Sequence, residues 1–510
     1  MNSLSVQSLP LLQPRTDVSL PTELSLRDLP ERVLQFGTGV LLRGLPNFLI
    51  DQANRQGIFN GRVVVVKSTD GGDMSAFSRQ DNLYTVCIRG VENRQLVEQN
   101  VVCSPISRVL SAKQQWESIL EVATSPELQV VISNTTEVGI QLVEDDVRQA
   151  PPVSFPGKLL AVLYARYQAF EGDPTKGLVI VPTELIPNNG TKLEAILLEL
   201  AHLNGLESEF IDWLETANTC CNSLVDRIVP GRPDAATQQT LTEQLDYKDE
   251  LLTISESYLL WAIEGDERVR QVLSFHQISE NVIIRPNIDQ FRELKLRLLN
   301  GTHTLSCGLA FLCGFNTVRE AMEDDRMAAF ISSVMLGELI PGIPYNVDEK
   351  TAQRFGFQVL DRFRNPFIEH RWLAITMQYT AKMQMRNVPT LLHYYKTLGV
   401  TPRYISLGFA AYLLFMRATT QEDGVWYGER DGETYPINDP QAGYFADLWD
   451  RLTPQELTSA VLKNTALWGH DLSQLPGFAD SVATYLSQLI ENGVQATIST
   501  QFDHYEVVIK

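Results

Sequence analysis

The sequence lacks paired cysteines and long apolar runs. Its six cysteines, spread over 510 residues, show neither CxxC spacing nor the density of a disulfide scaffold, which predicts reduced thiols in a cytoplasmic setting. The longest mostly apolar run, Ile405 to Met416, is shorter than the roughly 20 residues that cross a bilayer. The first thirty residues also lack the basic start and continuous apolar core of a secretory leader. We therefore expect no membrane partner.

Positive charge is scarce as well. With 42 Lys and Arg against 62 Asp and Glu, the formal net charge is −20. Because nucleic-acid binders need a basic surface that displaces counterions, we expect no nucleic-acid partner. The seven histidines include no closely spaced ligand pair, so no metal site is predicted. The same net charge disfavours an anionic small molecule unless cations cluster locally in its pocket.

The chain contains two different hydrophobic patterns, one in each half. From about residue 31, short β-branched runs alternate with amphipathic stretches, which predicts a Rossmann-like, doubly wound α/β domain. Its buried strands are predicted at Val33 to Phe36, Val63 to Val66, Val130 to Ser133 and Leu178 to Pro182. Later stretches carry helical spacing and predict a mainly α-helical C-terminal domain. These are Phe291 to Cys313, Arg371 to Met385 and Tyr404 to Thr419.

A chain of 510 residues is expected to form two large domains. We predict an N-terminal extension at 1–30, a dinucleotide-binding domain at 31–285 and a helical substrate domain at 286–510, because Pro286 breaks regular structure there. Within the second half, Trp426 to Gln441 is rich in Gly, Asp and Pro and predicts a surface loop. The closing stretch, Ala496 to Ile509, predicts an edge strand or a tail.

A glycine turn follows the first predicted strand. Gly37, Thr38 and Gly39 stand directly before a predicted helix that begins at Val40. Two glycines let backbone N–H groups and the helix N-terminus approach a pyrophosphate closely. Leu42 stands where the third glycine of the dinucleotide fingerprint would be, so an ordinary tight turn is the alternative.

The choice between NAD and NADP depends on the residues after the second strand. Asp70 is the candidate that would accept hydrogen bonds from the ribose hydroxyls, and its charge favours NAD. It comes only after Lys67, Ser68 and Thr69, which could instead bind the extra phosphate, so NADP stays open.

The densest polar cluster runs from Lys295 to His303. On a helix of about 100° per residue, Lys295, His303 and Asn300 fall at roughly 0°, 80° and 140°, so they can converge on one ligand. An ammonium can protonate the oxygen formed when hydride reaches a ketone, and an amide can hold that oxygen as charge develops. The alternative is a solvated lysine, a helix kink at Asn300 and a core histidine.

Two further features bear on this chemistry. Asn189 follows the strand that ends at Pro182, where ligands gather in open α/β sheets, and could supply a second amide; an Asn-Asn-Gly run is otherwise a turn. For Lys295 to act near neutral pH, its pKa must fall through burial or through a cation such as Arg297 or Lys382.

Together these residues resemble the long-chain polyol dehydrogenase family that includes mannitol dehydrogenase. The catalytic helix of that family carries Lys, four residues, Asn, two residues and His, and Lys295, Asn300 and His303 match it. Other peptides are similar to the family members that reduce tagaturonate to altronate, and the resemblance covers about residues 31–490. They are Ser133 to Glu137, Leu224 to Val229, Asn300 to Thr304, Arg362 to Pro366 and Gly432 to Pro436.

The resemblance implies an activity and roles for these residues. It implies NAD-dependent interconversion of D-tagaturonate and D-altronate, without a metal, in a cleft between a Rossmann-like domain and a helical domain. Lys295 would be the general acid for ketone reduction and the base in the reverse direction. Asn189 and Asn300 would be the oxyanion donors, and His303 would position the substrate.

A uronate carries a carboxylate that a polyol lacks. Relatives that act on polyols use an arginine near the position of Ala374 here, whereas Lys382 is retained. Arginine matches a carboxylate with paired donors, although exposed helix charges are the alternative. The candidates for the carboxylate are His370, Lys382, Arg364, Arg371 and Arg386. Other functions that stay open are fructuronate or hexitol oxidoreduction and a non-catalytic NAD(H) sensor; the oligomeric state is not predicted.

Overall fold

A computed structural model of the protein describes residues 2–12, 15–69, 71, 74–135 and 138–502. The chain divides into two compact units. Unit 1 comprises Met1–Gly90 and Leu96–Ile288, and unit 2 comprises Val91–Gln95 and Asp289–Lys510. Among the helices described, none is both long enough and apolar enough to cross a membrane.

Fifteen strands and nine α-helices are described up to residue 288. The strands are β1 (Asn2–Ser3), β2 (Val18–Ser19), β3 (Glu31–Phe36), β4 (Arg62–Lys67), β5 (Tyr84–Glu92), β6 (Gln95–Cys103), β7 (Ile106–Ser111), β8 (Val130–Ser133), β9 (Val179–Pro182), β10 (Thr219–Cys220), β11 (Ser223–Asp226), β12 (Tyr247–Lys248), β13 (Thr253–Glu256), β14 (Leu260–Glu264) and β15 (Val282–Arg285). The helices are α1 (Val40–Gly44), α2 (Pro46–Arg55), α3 (Ser75–Arg79), α4 (Trp116–Ala123), α5 (Phe155–Ala169), α6 (Asn189–Leu203), α7 (Ser208–Ala217), α8 (Ala235–Leu245) and α9 (Glu267–Val272). Short 3₁₀ turns lie at Leu9–Leu11, Pro174–Lys176 and Ser274–Ile278.

The central sheet of unit 1 is parallel and has the order β7-β4-β3-β8-β9-β10. Counted along the chain, this is the 3-2-1-4-5-6 order of a doubly wound dinucleotide-binding sheet. The four strands predicted from β-branched runs are β3, β4, β8 and β9, and the predicted fold class is confirmed. The strands are continuously apolar because both faces of the sheet are buried. In β3, for example, Val33 packs into one buried cluster and Leu34 packs into another on the opposite face.

Unit 1 also contains smaller sheets. One has the order β13-β5-β6-β2, another has the order β11-β14-β15, and β1 pairs with β12. The N-terminal segment is therefore hydrogen-bonded into unit 1 through β1 and β2. Leu4 and Leu9 are buried in a third apolar cluster beside Leu83 and Tyr247, so this segment packs as part of the core.

Unit 2 is mainly helical. Its α-helices are α10 (Asp289–Leu294), α11 (Thr302–Leu312), α12 (Val318–Glu323), α13 (Asp325–Ser332), α14 (Glu349–Phe363), α15 (Trp372–Ile375), α16 (Tyr379–Lys382), α17 (Val388–Leu398), α18 (Arg403–Phe415), α19 (Ala442–Arg451), α20 (Pro454–Lys463), α21 (Thr465–Trp468), α22 (Phe478–Glu491) and α23 (Val494–Phe502), with a 3₁₀ turn at Leu472–Gln474. Three π-helical segments interrupt them, at Lys295–Gly301, Ser333–Leu339 and Met383–Asn387.

Two predictions for unit 2 are wrong. The segment predicted as a surface loop forms an antiparallel sheet of β16 (Thr420–Glu422), β17 (Val425–Arg430) and β18 (Glu433–Ile437). Its Gly and Asp residues lie in the tight turns between these strands. Asp431 and Gly432, for example, have φ of 53° and 82°, as a two-residue hairpin turn requires. The closing stretch is helical in α23 up to Phe502, and residues 503–510 lie outside the described part.

Candidate active site

The glycine turn between β3 and α1 leaves one face open. Gly37 has a φ of 124°, and a Cβ there would lie 2.9 Å from Leu42 Cδ1 and 3.0 Å from the carbonyl oxygen of Asn134, so only glycine fits. At Gly39 a Cβ would meet nothing within 4 Å. The space beside Gly39, next to the unpaired first N–H groups of the helix at Val40, suits a pyrophosphate.

Two side chains hold the carbonyl groups of this turn. Gln35 Nε2 donates to the carbonyl oxygen of Gly37 at 3.0 Å, and Arg43 Nη1 donates to that of Thr38 at 2.7 Å. Arg43 is buried and also bonds Thr253 Oγ1 at 3.2 Å. Sequence reasoning missed Arg43, although a basic residue inside the first turn of an otherwise apolar helix is a visible signal. These residues fit a bound dinucleotide; Asp70 lies outside the described residues.

Asn189 is fully buried and its amide is occupied. Its Nδ2 donates to the carbonyl oxygens of Pro182, Glu184 and Ser223 at 3.0–3.1 Å, and its Oδ1 accepts from two backbone N–H groups at 2.9 Å. The amide thus joins the end of β9 to the start of β11. To donate to an oxyanion it would have to break these bonds, so the geometry favours a structural role over the catalytic one predicted from the sequence.

A buried carboxylate that the sequence analysis missed lies beside these strand ends. Glu184 is 3% exposed and accepts from Ser133 Oγ at 3.1 Å and from the backbone N–H of Thr135 at 2.7 Å. It therefore fixes the segment that follows β8. Its position two residues after a buried strand was the available signal.

Lys295 and Asn300 lie on a π-helix, not on the α-helix assumed in the sequence analysis. In a π-helix the hydrogen bonds run from residue i to i+5, so residues five apart stand about one turn from each other. Lys295 and Asn300 are five residues apart and both are half-buried. The wide turn therefore brings the amine and the amide to one side of the helix, whereas α-helical pitch would separate them by roughly 140°.

His303 is held rigidly at the start of α11. Its ring stacks on Phe363 with centroids 4.2 Å apart and an interplanar angle of 12°, and it meets the ring of His370 edge-on at 4.8 Å. The side chain is 8% exposed, and its Nε2 makes no hydrogen bond to the described residues. An orphaned buried nitrogen of this kind suits a ligand hydroxyl.

Basic side chains surround His303, and three of them, Arg362, Arg386 and Lys382, are cations; burial lowers the pKa of the fourth, His370, below 6.5. Burial lowers the pKa of His303 well below its ordinary value of 6.5, and four neighbouring basic groups lower it further. In decreasing order of effect these are His370, Arg362, Arg386 and Lys382. The imidazole is thus neutral near pH 7, and a chain with a net charge of −20 has a local positive patch here.

Two of these cations are anchored by hydrogen bonds. Arg386 Nη1 donates to Thr304 Oγ1 at 3.0 Å, and Lys382 Nζ donates to the carbonyl oxygen of Ile375 at 3.0 Å. Burial, followed by the charge of Arg386, lowers the pKa of Lys382. Arg362 was not among the sequence candidates, although it lies in the Arg362 to Pro366 peptide quoted for the family resemblance.

The other predicted cations have local carboxylate partners. Arg371 has a side chain that is 70% exposed and pairs with Glu369 at 2.6 Å. Arg364 pairs with Asp361 at 3.6 Å. The structure therefore brings His303, His370, Lys382 and Arg386 together, whereas Arg364 and Arg371 are each paired with a carboxylate.

Comparisons with known proteins cover both units. Residues 31–276 match the mannitol dehydrogenase Rossmann domain, and residues 287–490 match the mannitol dehydrogenase C-terminal domain. The chain is 38% identical over 480 residues to the altronate oxidoreductase of Halalkalibacterium halodurans. This alignment covers 92% of the chain and 93% of that relative. It is also 38% identical over 472 residues to the altronate oxidoreductase of Bacillus subtilis, with 92% of this chain and 95% of the relative covered.

Solved structures share the fold at low sequence identity. A D-sorbitol dehydrogenase in substrate-free form has a TM-score of 0.75 at 20% identity, with 98% of this chain and 100% of that chain covered. The Pseudomonas fluorescens mannitol 2-dehydrogenase, in a ternary complex with NAD and D-mannitol, has a TM-score of 0.63 at 21% identity, with 99% and 100% covered. From both domain matches and the relatives that span 92% of its length, the chain belongs to the mannitol dehydrogenase family of oxidoreductases.

Proposed function

We propose that this protein catalyses the NAD-dependent interconversion of D-tagaturonate and D-altronate. The observation that carries the proposal is the patch of cations around the neutral His303, on the same helical run as Lys295, in a chain whose net charge is −20. Such a patch suits a sugar that carries a carboxylate. The 38% identity to two altronate oxidoreductases over 92% of the chain supports the same substrate.

Bound NADH supplies the hydride that reduces the ketone carbon. Lys295 gives its proton to the carbonyl oxygen as that oxygen becomes a hydroxyl, and takes the proton back when altronate is oxidised. Asn300 donates an amide hydrogen to the same oxygen while negative charge develops on it. His303 is neutral, its Nε2 has no hydrogen-bond partner among the described residues, and it orients a sugar hydroxyl.

The substrate carboxylate is held by cations of unit 2. Arg386, Arg362 and Lys382 provide the charge, and His370 provides a ring that lies against His303. We leave Arg364 and Arg371 out of this subsite because each pairs with a nearby carboxylate. Asn189 is assigned to holding the ends of β9 and β11 in place, since both of its amide hydrogens already donate to carbonyl groups.

We propose NAD as the cofactor in preference to NADP, bound at the Gly37 to Val40 turn with Asp70 on the ribose. The open face of Gly39 supports the pyrophosphate position. All six cysteines are free thiols, which fits a reducing compartment such as the cytoplasm.

A substrate panel tests the proposed function. The oxidation of NADH and NADPH at 340 nm is measured with tagaturonate, fructuronate, fructose and fructose 6-phosphate. We expect the highest kcat/KM with tagaturonate and NADH. Turnover of fructuronate or a neutral ketose in place of tagaturonate would assign a different member of the family. Binding of NADH without turnover of any ketone would indicate a sensor.

A further inference from the structure

Two of the π-helical segments face each other inside unit 2. Lys295–Gly301 carries the proposed acid and amide, and Met383–Asn387 carries the carboxylate-binding Arg386. A π turn interrupts the regular hydrogen-bond ladder of an α-helix, so side-chain donors from a neighbour can bond the carbonyl groups there. The segments exchange such donors in both directions.

Arg297 makes the first set of contacts. Its side chain is 8% exposed, and Nη1 donates to the carbonyl oxygens of Met385 at 2.7 Å and Arg386 at 2.9 Å. Nε donates to Glu293 Oε2 at 2.9 Å, one turn earlier on its own helix. The guanidinium is thus fixed at one edge by Glu293, and another of its nitrogens reaches across to the backbone of the opposite π-helix.

Asn387 makes the return contact. It is fully buried, and its Nδ2 donates to the carbonyl oxygen of Gly301 at 3.0 Å. A Cβ at Gly301 would lie 3.2 Å from Asn387 Nδ2, so glycine permits the close approach. A third link runs from Arg386 Nη1 through Thr304 Oγ1 to the carbonyl oxygen of Asn300, at 3.0 Å and 2.8 Å.

We propose that Arg297 and Asn387 are positioning residues that hold the proton donor and the carboxylate-binding cations at a fixed separation. This inference rests on the proposed function, because it assumes that one substrate bridges Lys295 and Arg386. A short carbon chain joins the carboxylate and the ketone of tagaturonate and limits their separation, so a shift between the helices would leave the carboxylate bound and misplace the ketone. Displacements of about 1 Å are known to lower rates about 100-fold.

Kinetics of matched variants test the role. Arg297→Met keeps the apolar stem and removes every donor, and Asn387→Leu keeps the volume and removes the amide. We expect each to lower kcat with tagaturonate about 10- to 100-fold while KM changes less than about threefold. Arg297→Lys, which retains the charge and a single donor nitrogen, should recover part of kcat. The control is Arg319→Met, which removes an exposed arginine that also pairs with a glutamate four residues away, at 3.1 Å.

The double variant tests whether Arg297 and Asn387 act together or independently. If Arg297 and Asn387 act together, combining the substitutions should lower kcat by much less than the product of the single effects. A fully multiplicative loss, or single variants whose kcat equals that of wild type, would overturn the proposal. Should Arg297→Met fail to fold, Arg297→Gln and Asn387→Leu allow the same comparison.

Hydrogen exchange provides a readout that does not depend on activity. In each single variant we expect faster amide exchange in both 295–301 and 383–387, with α22 unchanged. Faster exchange only in the substituted helix would contradict a reciprocal clamp. If the wild-type protein turned over no tagaturonate but the exchange result held, the proposed function would fail while the clamp between the helices would stand.

Discussion

The imidazole of His303 lies flat against the ring of Phe363, with centroids 4.2 Å apart. Phe363 ends α14 and is 4% exposed, so it supports the histidine from a separate helix. The stack fixes the plane of the imidazole and therefore the direction of Nε2, which has no hydrogen-bond partner in the part of the chain that the structure describes.

Replacing this support tests whether the ring orientation matters. Phe363→Leu keeps an apolar side chain but removes the flat surface, so His303 gains rotational freedom. We expect kcat/KM for tagaturonate to fall about tenfold, with a loss of about 1 kcal/mol in unfolding free energy. Steady-state kinetics and urea denaturation measure the two effects. An unchanged kcat/KM with reduced stability would mean that Phe363 only fills the core.

Removal of the proposed general acid should affect chemistry and spare cofactor binding. For Lys295→Met we expect kcat to fall about 100- to 10,000-fold, because the alkoxide loses its proton donor. The dissociation constant of NADH, measured by fluorescence titration, should stay within about twofold. Lys396→Met is the matched control, since Lys396 is exposed in the last turn of α17. Substantial residual turnover in Lys295→Met would assign the acid elsewhere.

Alanine substitutions at the two glycines of the cofactor turn should affect different properties, NADH binding at Gly39 and stability at Gly37. Gly39 has a φ of −65° and open space where a Cβ would stand, so Gly39→Ala should fold normally and weaken NADH binding about tenfold or more. Gly37→Ala should lower the melting temperature, because φ is 124° and the Asn134 carbonyl oxygen lies 3.0 Å away. Normal NADH affinity in Gly39→Ala would place the pyrophosphate elsewhere.

Arg386 and Arg371 are both candidates for the carboxylate from the sequence, and the structure predicts different effects for their substitution. Arg386→Gln should raise KM for tagaturonate about 10- to 100-fold, since a charge-assisted hydrogen bond is worth about 1.5–3 kcal/mol. Arg371→Gln should leave KM within about twofold, because Arg371 is 70% exposed and paired with Glu369. The opposite ranking would place Arg371, and not Arg386, in the carboxylate subsite.

Glu338 should make the stability of unit 2 depend on pH. Its buried side chain accepts from the N–H groups of Tyr404 and Ile405 at 2.9 Å and 2.7 Å, and burial raises its pKa from 4.5 to about 7. Because the folded pKa is the higher one, the stabilisation is complete below about pH 4.5 and is lost as pH rises through about 7. The loss is about 3 kcal/mol at most.

Glu338→Gln removes this titration. We expect urea midpoints of the wild type to fall, relative to those of the variant, between about pH 4.5 and 7.5, and to run parallel above that range. Parallel curves throughout would show that Glu338 ionises normally in the folded protein.

Hydrophobic patterns predicted the central sheet well because its strands are buried on both faces. The β-branched runs at Val33 and Val63 are typical of strands buried on both faces, and the turn at Gly37 and Gly39 comes directly after the first of these strands. The same reasoning mistook β17 and β18 for a loop, because their turn residues outweighed short strands of mixed polarity. The Gly and Asp residues of the hairpin turns were interpreted as part of a continuous loop.

The site was only partly predictable for a different reason. Residue type and spacing select Lys295, Asn300 and His303 as candidates, but the π-helical pitch that brings Lys295 and Asn300 to one side is not visible in the sequence pattern. Arg364 pairs with Asp361, three positions before it, and the sequence pattern does not reveal this pairing. Side-chain pairing in the folded structure decides such cases.

The wide turn at Lys295–Gly301 can be regarded as an α-helix that carries one surplus residue. A variant shortened by one residue within 296–299 could tighten to ordinary pitch, with its lysine and asparagine four apart and still on one side. The backbone oxygens would then return to partners within their own helix. The extra residue is therefore not needed to bring the amine and the amide to one side of the helix. Its contribution is to interrupt the backbone hydrogen-bond ladder, so that side chains of a neighbouring helix can donate hydrogen bonds to the backbone oxygens.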